Sequence, residues 1–509
     1  VSKSPLIVTA LVAIIVLVGT PSVAQAASGD INLTYSPSGF TADPSESPDG
    51  IIALRNGKSL VAATASNSST GTGTKSYVAR LLSDGTLDGS FGGGGIVTLV
   101  NVQSEAAPNY TSINAMLELV PSAQVLVAVY HPLAAGNGTT VVRLNPNGTV
   151  DTLFGDGGYA DVPVPAPGTG VFSASSMTLQ QDASGPIRIL IAGDLTTGGS
   201  AEALVVALRL DGTLDTSWAA GGYLQPITAD SSRVDNITTD AEGSLFLLSN
   251  EVHASARVTK VSKFAVDGSA ISSFGVSGET VLEPETDPLY PSDSGLVLYG
   301  HSISLDHDDN LVVLGQQYGY STPSYTGHRR LVLQRLLPDG STDISFASDG
   351  RFASAIAGND TSVVGAQIDP AGVIFVAGIM RPDGDRASFV AAFTADGILD
   401  ERFAPGGVAS YVPVNQYDGF LSGLALTTNG LLLSIAKTVG SGQTHVQVVS
   451  FDGNIAADPV TPDAVTPDST EPVLAATGFP AETFGFAALL LLALGVVLLA
   501  RRTVVISRP

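Results

Sequence analysis

Aspartates placed four residues apart, again and again, are the first residues in this 509-residue chain that could do chemistry. Paired carboxylates can hold calcium. They belong to one phrase, Asp-Gly-x-Leu-Asp-x-x-Phe, which reads DGTLDGSF from Asp84, NGTVDTLF from Asn147, DGTLDTSW from Asp211 and DGSAISSF from Asp267. It returns as DGSTDISF from Asp339, DGILDERF from Asp396 and a shortened DGNIAAD from Asp452. A calcium loop spaces its oxygen ligands more densely, as in D-x-D-x-D-G. Asp-Gly is also a turn signal, because glycine takes positive φ and the Asp side chain bonds nearby amides. Turn chemistry is therefore the expected role, with the Leu and Phe plugging a core between units. Basic residues just before the phrase (Arg80, Arg143, Arg209, Arg335 and, in the fourth unit, Lys263) are expected to meet the second aspartate of the same unit as structural ion pairs. Asp306-His307-Asp308-Asp309-Asn310 looks metal-like, yet it occupies the hairpin position held by Asp369-Pro370-Ala371-Gly372 one unit later, so it too reads as a turn. The six histidines show no two-histidine metal spacing and no pairing with a nucleophile motif. No catalytic, metal or cofactor site is expected.

The elements that carry these residues are β throughout. The phrase recurs at intervals of 56 to 72 residues, the mark of one supersecondary unit stacked many times. Each unit offers about four short segments rich in Val, Ile and Leu, bounded by Gly, Asn, Asp and Pro. Four-stranded units around a ring protect their sheet edges as a β-propeller. Seven hairpins, assigned to the second and third strands of their blades, match seven phrases, so a seven-bladed propeller over residues 27–456 is expected. Gly29 to Phe40 (GDINLTYSPSGF) resembles the phrase ending that the seventh copy lacks, so it is expected to close the ring beside blade seven. There are no cysteines, and 47 acidic against 23 basic residues give a formal net charge of −24. Such a charge argues against nucleic acid as a partner, since phosphates would be repelled.

The termini set the address. Lys3, the apolar run Leu6 to Val18 and Ala24-Gln25-Ala26 read as a cleaved secretory signal over residues 1–26. Residues 457–473, with two VTPD copies, form a stiff extended linker reaching about 50 Å. Then come Leu474-Ala475-Ala476-Thr477-Gly478, an apolar run from Phe484 to Ala500 long enough to span a bilayer, and Arg501-Arg502. This order, within residues 474–509, resembles the LPxTG-type sorting signal of Gram-positive cell-wall proteins in its LAxTG form, with Ala475 where the commoner signal has Pro. The resemblance implies that a sortase cuts between Thr477 and Gly478 and joins the new carboxyl end to peptidoglycan.

One insertion departs from the pattern. Gln316 to Arg330 gathers Tyr318, Tyr320 and Tyr325 beside His328 and Arg329, and Tyr290 and Tyr299 lie upstream. The first three are expected on an outer hairpin loop between the third and fourth strands of blade five, where flat amphipathic rings could stack on sugars or grip a protein. Phrase and period, over Asp30 to Asp452, resemble the delta-60 repeat family of bacterial β-propellers, whose function is undefined. The expectation is a secreted, wall-anchored binding or adhesion module for glycan or protein, not an enzyme. The alternative is a surface polysaccharide hydrolase or lyase, which a carboxylate pair converging on the ring axis would favour.

Overall fold

A computed structural model describes residues 46–66, 74–99, 111–133, 136–165, 170–227, 229–254, 256–286, 293–321, 326–356, 360–381, 387–411, 421–427, 430–438 and 444–453. They form seven antiparallel sheets, six of four strands and one of three. The strands of each sheet follow chain order, so every blade is a simple meander. The seven first strands are Glu46–Ala53, Ser112–Leu119, Val171–Asp182, Ser231–Thr239, Asp293–Leu305, Thr361–Ile368 and Leu421–Thr427. Each packs against the first strand of the next blade, and the seventh returns to the first. The ring is closed. A buried carboxylate ties the two ends: Val446 donates its backbone N–H to Glu46 Oε2 at 3.3 Å.

One part of the expected layout is corrected. The seven hairpins join first and second strands, as Ile52 opposite Leu60 shows in blade one, rather than second and third. The short strand after each phrase, such as Ile96–Thr98, is the outermost strand of its own blade. Among the described residues blade seven has three strands, ending at Phe451. Residues 1–45, which hold the signal and Gly29 to Phe40, lie outside the described residues, as do residues 454–509 with the linker, sorting signal and apolar run. Among the described residues no helix is long and apolar enough to cross a membrane.

The alternation of strand direction gives the ring two unlike faces. The lower face carries the first-to-second hairpins and all the phrases. The upper face carries the start of every first strand and the hairpins between second and third strands.

On the lower face the phrases of the first five blades clasp the next blade. Asp84 Oδ1 accepts the Thr86 N–H at 2.9 Å and its hydroxyl at 2.7 Å, and Gly85 takes φ +83°. Asp88, four residues on, accepts Arg80 Nε at 2.8 Å and Lys58 Nζ at 2.6 Å. Burial alone would raise its pKa, but hydrogen bonds from Lys58 and Ser90, with the Arg80 charge, hold the carboxyl well below the usual range. Arg80 Nη1 then donates across the blade boundary to the Pro146 carbonyl, and Gly92 N–H donates to Asn147 O at 2.8 Å. Blade two repeats this onto blade three, where Arg143 Nη1 reaches Leu210 O at 2.6 Å and Gly155 N–H reaches Asp211 O at 2.7 Å.

The phrase aromatic completes the clasp. Phe91, Phe154, Trp218, Phe274, Phe346 and Phe403 are fully buried. A Cβ on Gly148 would lie 2.9 Å from Phe91 Cδ2, and one on Gly397 would lie 2.5 Å from Phe346 Cζ. The phrase glycine is thus needed twice, for positive φ and as the flat seat of the preceding blade's ring.

Arg80, Arg143 and Arg335 meet the second aspartate as expected, at 2.8, 2.8 and 2.7 Å. Arg209 does not. It sits 3.8 Å from Asp215 and is half exposed, while Arg188 from the second strand takes the place at 2.9 Å and carries the cross-blade bond to Val266 O. In blade four, where Ile271 replaces the second aspartate, Lys263 turns to Asp240 at 3.6 Å. Asp306 forms the expected turn, accepting the N–H groups of Asp308 and Asn310, both at 2.9 Å.

Candidate functional site

Every first strand carries a β-bulge at the same level, between Pro48 and Gly50, Ile113 and Ala115, Ala174 and Ser176, Val234 and Asn236, Gly300 and Ser302, Val363 and Gly365, and Leu421 and Gly423. A bulge leaves one residue out of the ladder and re-aims it. The seven residues are Asp49, Asn114, Ser175, Asp235, His301, Val364 and Ser422, and all line one cavity of about 440 Å³ on the ring axis.

Three of the seven, and Asn236 beside them, join blade to blade. Asp49 Oδ2 accepts the Ile113 N–H at 3.1 Å, and Asn114 Nδ2 donates to Ala174 O at 2.7 Å. Ser175 Oγ donates to Val234 O, and Asn236 Oδ1 accepts the Ile303 N–H at 3.1 Å. The belt changes at blade five, where His301 Nε2 and Ser302 Oγ are shielded from solvent and have no hydrogen-bond partner among the described residues. Burial, then the charge of Arg233, pushes His301 down to about 4, so its imidazole is neutral at neutral pH.

Burial also pushes Asp49 up to about 6 against the bonds from Thr64 and Ile113, and raises Asp235. The folded Asp49 holds its proton up to about pH 6, whereas the unfolded chain releases it from 3.8. Between those values the native state binds more protons, so stability falls as pH rises through the window. Asp49→Asn is expected to match the native protein below pH 4 and to exceed it by about 3 kcal/mol at pH 7. Urea unfolding at the two pH values measures the difference; equal midpoints at pH 7 would mean that Asp49 ionises freely.

On the upper face, charged and aromatic side chains meet on blades three to six. Tyr299 and Tyr318 are half-buried and meet edge to face with ring centroids 5.2 Å apart. The Arg257 guanidinium lies over Tyr299 at 5.4 Å and that of Arg329 over Tyr318 at 5.5 Å. Arg329 is anchored further by Asp360 at 3.2 Å and Ser362 at 3.0 Å. The two tyrosines therefore form a brace that positions two guanidiniums, not a pair of bare stacking platforms.

Their location also differs from expectation. Tyr318 and Tyr320 lie within the second strand of blade five (Leu311–Ser321), and the hairpin that follows joins the second and third strands. The reason is that the strands run on: Tyr318 pairs with Val297 and with Arg329, extending the sheet where a loop was expected. Nothing is described of the Tyr320 side chain, and Tyr290 and Tyr325 lie outside the described residues. Sequence reasoning missed the bulge residues, Arg233 and Arg257; Arg257 followed from no motif, only from its register opposite Val252.

Three segments of the chain, residues 54–91, 131–154 and 188–217, match a family described as "Domain of unknown function (DUF5122) beta-propeller". Each covers part of a blade described above and takes in its clasp phrase, two of them up to the aromatic and the third to the residue before it. No curated protein matches the chain. Solved structures similar to it include a polysaccharide lyase of family PL25, an ulvan lyase bound to -[GlcA(1-4)Rha3S]-. That pair is 9% identical over 82% of this chain and 96% of the other, with a TM-score of 0.45. Sqt1 from Chaetomium thermophilum is 12% identical over 84% and 100%, with a TM-score of 0.44. Penicillium chrysogenum α-L-arabinanase complexed with arabinobiose is 13% identical over 67% and 92%, with a TM-score of 0.37. Likenesses of this size assign none of those activities to this chain.

Proposed function

We propose that this chain is an exported, cell-wall-anchored binding propeller whose upper face engages a glycan or protein partner. The observation that carries the reading is the brace of Tyr299 and Tyr318 under Arg257 and Arg329, on the upper face. On the lower face the hydrogen-bonded phrase aspartates meet a base of their own blade or a turn amide, and the guanidiniums over Phe91 and Phe154 are largely buried in the blade boundaries. On the upper face Arg257 lies exposed over Tyr299, and arginine and aromatic side chains are enriched where proteins meet partners. Capture of whole cells and of a glycan array by the full chain tests the reading. Tyr299→Ser with Tyr318→Ser is expected to keep the unfolding midpoint within about 1–2 kcal/mol of native stability and to abolish capture. Undiminished capture would place the site elsewhere.

The anchoring half of the proposal rests on the order pentapeptide, apolar run and basic pair at residues 474–502. If Thr477 is the acyl donor, wall hydrolase should release the protein with peptidoglycan fragments attached. Thr477→Ala should move it to the membrane fraction. Extraction of the native protein by detergent alone would rule out a covalent link.

A second reading, a polysaccharide hydrolase or lyase, draws support from the axial cavity. Asp49 and Asp235, both held toward the protonated form, share it with a neutral imidazole whose Nε2 has no partner among the described residues. Groups with shifted proton affinity in one cleft suit acid–base work. Product release from polysaccharides that is lost in His301→Ala while capture persists would favour this reading over simple binding.

A further inference from the structure

A second cavity, of about 450 Å³, lies over the upper rim of blade four and runs from blade three to blade five. Its walls include Asp194, Arg233, Asn250, Arg257, Leu298 and Tyr299. Arg233 pairs with Asn250 and Arg257 with Val252, and Asn250 and Val252 are two residues apart on one strand. Directly opposed residues share a face and the strand period is two, so both arginines stand on the same face of blade four. Asn250 is fully engaged, donating to Asp235 and Gly300 O and accepting from Gly300 N–H and Thr259. It is a fixed wall.

The arginines are not fully engaged. Arg257 is exposed and makes no ion pair among the described residues, though the Tyr299 ring holds it in place. Arg233 is 60% exposed and only loosely paired, at 3.6 Å from Asp194 and 3.9 Å from Asp235. Asp194 Oδ1 is buried without a partner among the described residues. Burial, helped by the Asp235 charge, pushes that carboxyl up to about 6 against the opposing pull of Arg233 and the Val234 N–H, which weakens its claim on Arg233 at mildly acid pH. Two guanidiniums held apart from strong partners form a receptor for a planar oxyanion. A carboxyl oxygen in want of a hydrogen bond beside them suits a hydroxyl, and one molecule that supplies both groups is an acidic sugar.

Resting on the binding function above, we propose that this cavity takes a carbohydrate unit bearing a carboxylate, with Arg233 and Arg257 on the carboxylate and Asp194 on a neighbouring hydroxyl. The probe is oligogalacturonate, compared with its fully methyl-esterified form, which keeps the backbone and removes the charge. The full chain is expected to bind the acid at least ten-fold tighter than the ester, with affinity falling as salt rises. Arg257→Ala and Arg233→Ala should each weaken the acid about ten-fold and the ester by less, and Arg257→Lys should recover part of the loss. Both side chains are exposed, so an unchanged unfolding midpoint confirms that the variants are folded. Equal binding of acid and ester overturns the proposal, as does native affinity in the double arginine variant, and so does failure of the native chain to bind the acid. In any of these cases capture of whole cells, with its dependence on Tyr299 and Tyr318, decides separately whether the binding function itself stands.

Discussion

Replacing Asp88 with alanine is expected to lower the stability of the ring by about 3 kcal/mol. Asp88 is buried, and its carboxylate gathers Arg80, Lys58 and Ser90 in one place. Arg80 is itself buried and reaches into blade two. Without Asp88 a guanidinium would be left in the blade boundary without its counter-charge, and the Phe91 ring 4.4 Å beneath it would lose its cover. Because the Asp88 pKa is depressed in the folded state, its contribution is present at neutral pH and fades as pH falls below 3.8. The gap between native and Asp88→Ala unfolding midpoints should therefore narrow in acid. A midpoint that does not move at pH 7 would show that the clasp is not a principal tie between blades.

Deleting residues 29–40 should have an effect as large, expressed as aggregation. Blade seven has three strands among the described residues, and its first strand seals against Glu46–Ala53. The stretch GDINLTYSPSGF resembles the phrase ending that Asp452-Gly453 lacks. If it completes blade seven, its loss leaves an unpaired strand edge and open apolar surface beside Phe451. Light scattering on heating should detect association at lower temperature than in the native chain. A deleted form that melts and scatters as the native does would mean that the two ends do not meet.

The fold was largely legible because the clasp uses a contiguous phrase. Asp84 caps its own turn, Gly85 needs positive φ, and Phe91 must fill the space beside Gly148, so all three selections fall within one short stretch and recur blade after blade. What crossed between segments was harder to see. Lys58, Gln124 and Arg188 all reach the second aspartate from the second strand or the residue just before it, at 2.6, 2.6 and 2.9 Å, yet share no residue type. The second-strand position is set by register, which leaves no phrase behind it.

The candidate site was legible only in its tyrosines. A bulge at the axis is filled by Asp, Asn, Ser, His or Val according to the next blade's needs, so the seven positions look unrelated in sequence. Tyr299 and Tyr318 were noticed for their type, but their edge-to-face contact depends on the extension of blade five's strands past the usual hairpin. Arg257 acquires meaning only from the ring beneath it.

Hydrogen exchange of the full chain, alone and with the glycans it retains from an array, tests most directly that the upper face is the binding face. The expected result is added protection at the starts of the first strands of blades four and five and at the hairpins following His253 and Ser321, with no change in the phrases from Asp84 to Asp452. Protection confined to those phrases, or none at any blade, would contradict it.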